Sequence, residues 1–139
     1  MADGKSSVDT RARDVVLLIG RLLLAWIFLH EGTSLALNFS GAIEMAAQYG
    51  LSVPLLVATI ALQIGAGLSI AGGLLTRIGA TALGLFCVAT ATLFHTNFSD
   101  QNELLHFEKD LAIAGGMFVL AAVGAGSLSI DRWLSERRK

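Results

Sequence analysis

Residues 15–37, VVLLIGRLLLAWIFLHEGTSLAL, constrain this chain more than any other stretch, because the run is long enough to cross a bilayer yet carries Arg21, His30 and Glu31 inside it. At about 1.5 Å per residue, roughly 20 apolar residues span the hydrocarbon layer. An ionisable group near the middle of such a helix costs roughly 2.5–3.5 kcal/mol on insertion scales, so it faces protein or trapped water. This first helix therefore needs neighbours. Three further apolar runs supply them, over residues 53–75, 78–95 and 111–128.

Composition agrees: 54% of the 139 residues are hydrophobic and only 15% charged, where soluble domains run near a quarter charged. Mean hydropathy is +0.67. The expected fold is an all-α membrane protein, a bundle of four transmembrane helices over residues 15–130. A mobile polar tail, residues 1–14, precedes it and a basic tail, residues 131–139, follows. The first apolar run exceeds the roughly 7–15 residues of a cleaved signal, and Asn38 and Phe39 follow it where a small-residue cleavage site would stand. It is read as a retained helix. The lone cysteine, Cys87, excludes an intrachain disulfide and sits among apolar neighbours as a small filler.

Within the second run, Pro54 suits a helix's first turn, where its missing N–H has no partner. Ala61, Gly65, Ser69 and Gly73 recur every four positions and read as a small-residue stripe that lets another backbone approach. Ala80 and Gly84 in the third run, and Gly115 and Gly116 in the fourth, extend that reading. Gln63 lies on a different face near mid-depth, where a neutral amide wants a partner inside the bundle.

Orientation follows from the basic residues. Four crossings place Lys5, Arg11, Arg13, Arg77, Arg132, Arg137, Arg138 and Lys139 on one side and Lys109 alone on the other, so both termini are expected in the cytoplasm. Arg21 is near enough to the inner boundary for its stem to snorkel to the headgroups. His30 and Glu31 fall about 10 Å short of the outer end of their run, too deep for that escape. His95 closes the third run on the same side, Glu108, Lys109 and Asp110 open the fourth, and Gln63 sits deeper. All four helices thus aim polar groups at one outward region. Two readings stay open: a functional site, or a structural cluster with an ion pair such as Glu31 with Lys109.

Glu103 and His106 have the E-x-x-H spacing of carboxylate metal sites, but such sites use two of these motifs with two more glutamates. Only one is present, in a stretch read as a polar loop, so no metal is expected. No haem motif, dinucleotide fingerprint or nucleic-acid patch is found, and no intrinsic cofactor follows.

Arg21 early in the first helix, the stretch QIGAGLSIAGGLLTR, the terminal His95 and the run FEKDLAIAGGMFVLAAVGAGSLSID together resemble the DoxX family of small four-helix membrane proteins. The resemblance covers residues 21–131. It implies a multi-pass protein of the bacterial inner membrane, in a family whose best-understood relatives are membrane subunits of quinone-linked sulfur oxidation or of oxidative-stress complexes. The sequence departs from the pattern at Gln63, where a glutamate is usual. Three functional readings follow. One is an accessory membrane subunit of a redox assembly, with a quinone as its candidate cofactor and no catalytic motif of its own. The others are a scaffold that anchors a partner protein or assembles with itself, and, third, a small-solute carrier.

Overall fold

The computed structural model describes residues 3–137, which form six α-helices and no strand. They are α1 (Asp3–Leu37), α2 (Phe39–Gln48), α3 (Val53–Gly72), α4 (Thr76–Phe94), α5 (Gln101–Val123) and α6 (Ile130–Arg137). Arg138 and Lys139 of the basic tail lie outside the described residues.

α4 packs most extensively on α5 and α1 on α3, with α3 and α4 joining the two pairs. The core between them is built from small residues around a few large ones: Ala25 and Phe28 from α1, Ala66 and Ile70 from α3, Ala80, Leu83 and Cys87 from α4, and Ala114, Met117 and Leu120 from α5. Large apolar side chains such as Leu23, Trp26, Ile78 and Leu93 point outward. This pattern suits lipid, because apolar tails give Leu no reason to hide while small residues bring backbones together. α3 and α4 are long and apolar enough to cross a membrane. α1 is interrupted by Arg21 and Glu31, and α5 carries Glu103, Glu108, Lys109 and Asp110 in its first half.

Several boundaries differ from the sequence reading. α1 begins at Asp3, so residues 3–14 continue the helix where a separate tail was expected. α5 begins ten residues before the expected span, because Asp100 caps it by accepting from the Asn102 N–H at 2.8 Å, and the charged residues after it are good helix formers. It ends at Val123, short of the expected residue 128, where Gly124 turns to a φ of 86°. α3 stops at Gly72, since Gly73 adopts a φ of 70° and the Leu74 N–H returns to the Ser69 carbonyl at 2.9 Å, a Schellman closure. α2, in a stretch given no element, packs Ala42 and Ala46 against Leu56 of α3.

The four-residue stripe on α3 is not its packing face. Ala61 and Gly65 are exposed, and a Cβ added to Gly65 meets nothing within 4 Å. The buried face is Gln63, Ala66, Gly67 and Ile70. Ser69 is half-buried and donates its hydroxyl to the Leu74 carbonyl, and Gly73 is a helix end. Gly115 is open in the same way as Gly65, whereas Gly116 faces Leu24, Gly84 faces Phe118 and Ala80 is wholly buried. The closest glycine contacts between α1 and α3 are at Gly32 and Gly67, which face Ile64 and Leu29.

Candidate functional site

Polar groups gather at the two ends of the bundle. One group stands where α4 ends and α5 begins. His95, the residue that caps α4, donates from Nδ1 to Glu103 Oε2 at 3.0 Å, with both side chains about a quarter to a third exposed. His106, one helical turn beyond Glu103 on the same face of α5, stacks on His95 with ring centroids 5.2 Å apart. Lys109 Nζ donates to His106 Nδ1 at 3.2 Å. Asp110, one residue on, turns toward α4 and accepts from the Thr90 hydroxyl at 3.0 Å. The result is a carboxylate, two imidazoles and an ammonium in series, with His95 Nε2 left to accept or exchange a proton.

Sequence reasoning reached His95, Lys109 and Asp110 but took Glu103 and His106 for loop residues. Their spacing was the available signal, once Asp100 is recognised as a cap. The ion pair of Glu31 with Lys109 that served as the example of a structural cluster does not form: Glu31 sits 3.9 Å from His30 and Lys109 serves His106. His30 stacks on Trp26, and both His30 and Glu31 are well exposed on α1. Glu108 is exposed too and faces a shallow depression beside Asp100 and Leu105. Gln63 is buried against α1, with its Oε1 unpartnered and its Cβ 3.1 Å from the position a Gly32 side chain would take.

The second group, at the opposite end, was missed by sequence reasoning except for Arg21 itself. Arg21 is 3% exposed and does not snorkel to headgroups. Its Nη1 donates to the Ala125 carbonyl at 2.7 Å and its Nη2 to that of Leu128, so it holds the irregular segment between α5 and α6. That segment delivers Asp131, whose carboxylate accepts from the Leu75 N–H at 3.0 Å and the Thr76 N–H at 3.4 Å. α4 has no side-chain cap from its own N-cap residue, Leu75, which sits at a φ of 51°, and Asp131 supplies one from across the fold. The Asp131 N–H in turn donates to the Gly73 carbonyl at 3.0 Å. The run SLSID is thus a latch across the α3–α4 turn.

Asp14 extends the latch, accepting from the Ser127 hydroxyl and, at 3.2 Å, from the Ser127 N–H. The Ser127 hydroxyl first and its N–H second hold the Asp14 carboxyl below the usual range. A lowered carboxyl stabilises the fold above its ordinary titration range, and that contribution is lost as pH falls through the lowered value. Hydrogen exchange at the Ser127 amide should therefore be protected at neutral pH and lose protection in acid beyond what the ordinary pH dependence of exchange accounts for. Asp14→Asn should remove the pH-dependent part.

A family model described as DoxX matches residues 16–96, from the first turns of the apolar part of α1 to just past His95. The chain belongs to the DoxX family. Among its relatives, the inner membrane protein YqjF of Escherichia coli is 35% identical over 127 residues, covering 91% of this chain and 98% of its own. The inner membrane protein YphA of the same organism is 32% identical over 128 residues, covering 87% and 91%. No solved structure matches. As a DoxX protein the chain is a membrane protein, and among its described residues α3 and α4 are long and apolar enough to cross the bilayer.

Proposed function

We propose that this DoxX protein is a four-span protein of the inner membrane with both termini in the cytoplasm, and that it serves as an accessory membrane subunit of a redox assembly. The names of its E. coli relatives support the location. The packing of α1 and α5 beside α3 and α4, and the surplus of basic residues at one end, support the four crossings. The observation that carries the function is the His95–Glu103 hydrogen bond with His106 stacked on it, because a carboxylate that orients an imidazole leaves the far ring nitrogen set to hold or pass a proton.

This donor set suits a quinone headgroup, whose carbonyl oxygens take hydrogen bonds and whose reduction takes up protons. A quinone supplies the electron chemistry when bound. In its imidazolium form His95 would hold a headgroup oxygen through Nε2–H while Nδ1–H stays on Glu103, and giving up that Nε2 proton would leave the ring an acceptor toward water. The electron carriers belong to a partner protein.

Titration of the detergent-solubilised protein with a short-chain ubiquinone, followed by calorimetry, tests the site. His95→Ala should weaken binding about tenfold, the loss of one hydrogen bond in the upper part of the usual range. Glu103→Gln should weaken it less, since the ring keeps a neutral acceptor. Equal affinity of wild type and His95→Ala contradicts the reading. The scaffold reading draws on a different observation, the latch of Arg21 and Asp131, which fixes one face rigidly enough to present to a partner. Recovery of a structural or chaperone partner from native membranes, with no dehydrogenase or oxidase, would favour it.

A further inference from the structure

We propose that the hollow between the first turn of α4 and the segment joining α5 to α6 is a binding site for the headgroup of an anionic phospholipid. The hollow has a volume of about 470 Å³, and Arg77, Arg132, Gly124, Ser129 and Asp131 line its polar side. It opens where the apolar helix α4 starts, which under the proposed crossings is the level of the membrane surface. The inference goes beyond the proposed redox role and does not depend on it.

Three observations converge on this chemistry. Both arginines are exposed and incompletely engaged: Arg77 reaches the Val123 carbonyl only at 3.5 Å, and Arg132 gives its Nε–H to Glu136 at 2.7 Å. That leaves guanidinium nitrogens for a phosphate, which matches their fork geometry. The one carboxylate in the lining, Asp131, is already committed to the Leu75 and Thr76 N–H groups and lies within the field of the buried Arg21, so it leaves Arg77 uncancelled, while Arg132 keeps its terminal nitrogens beyond an exposed, solvent-screened ion pair with Glu136. Beside the polar floor stand Leu75 and Ile78, 59% and 67% exposed, and Val123. A free phosphate has no use for that apolar shoulder, whereas a lipid lays its acyl chains along it.

The test is native mass spectrometry of the full-length protein in detergent, with phosphatidylglycerol or phosphatidylethanolamine of the same acyl chains added in turn. Wild type should retain phosphatidylglycerol in preference. Arg77→Gln and Arg132→Gln should each lower its affinity about fivefold, at the usual worth of a basic residue near an anionic surface, and the double variant should lower it further than either. Arg137→Gln removes the same charge outside the hollow, where Arg137 lies over the Trp133 ring, and should leave affinity unchanged. If the double variant fails to fold, as judged by thermal unfolding without lipid, the single variants decide. Equal retention of the two lipids would overturn the proposal. So would an equal loss in Arg137→Gln, unchanged affinity in the rim variants, or full displacement by inorganic phosphate.

Discussion

Replacing Arg21 by Met should lower stability by about 3–6 kcal/mol, the largest effect expected of any single substitution in this chain. Methionine keeps the length and apolar stem of the side chain but removes both donors to the Ala125 and Leu128 carbonyls. Each hydrogen bond from a charged group is worth about 1.5–3 kcal/mol, and the Ala125 carbonyl left behind is buried. The damage should spread, because the segment Arg21 holds is the one that brings Asp131 to the start of α4. Thermal unfolding in detergent should shift down by roughly 10–20 °C for such a loss. Lysine, a point charge with no fork, should fall between the two. An unshifted transition for Arg21→Met would mean that the latch contributes nothing.

Gly32→Leu should come next, at about 1–3 kcal/mol or more, and it should separate α1 from α3. A Cβ there would lie 2.9 Å from Ile64 Cγ1, 3.1 Å from the Gln63 Cβ and 3.4 Å from the Ile64 backbone nitrogen. The last two cannot swing aside. Gly65→Leu on the same helix pair is the control, since its Cβ enters open space and should leave the unfolding temperature unchanged. Equal stability of Gly32→Leu and Gly65→Leu would contradict this packing of α1 on α3.

That contrast also explains which parts of the fold the sequence disclosed. The long apolar runs announced α1, α3 and α4, and Pro54 marked the start of α3 because proline acts locally, whereas Gly73, which ends α3, was read as part of a stripe inside it. The stripe from Ala61 to Gly73 misled, since four residues turn a helix about 40° past a full circle, and three such steps walk the stripe off any one face. Gln63, Gly67 and Ile70 alternate steps of four and three and stay on one face. α5 was foreshortened because charge was read as irregularity, although Asp100 and the Glu103–His106 spacing are helical signals. Arg21 was recognisable as a costly buried charge. Its partners lie more than a hundred residues away as backbone carbonyls, which leave no mark in the side-chain pattern.

His95 and Glu103 came together for a related reason: the loop between α4 and α5 is short, and Asp100 fixes where α5 starts, which sets Glu103 beside the end of α4. Neither residue type is distinctive alone. Their juxtaposition is a consequence of the cap.

The four proposed crossings put the His95 end outside and the Arg21 latch inside. Reporter fusions map this directly: after Ser40 and after Gln101 they should read periplasmic, and after Arg77 and after Lys139 cytoplasmic, as the distribution of basic residues requires. A periplasmic reading after Arg77, or a cytoplasmic one after Gln101, would contradict it.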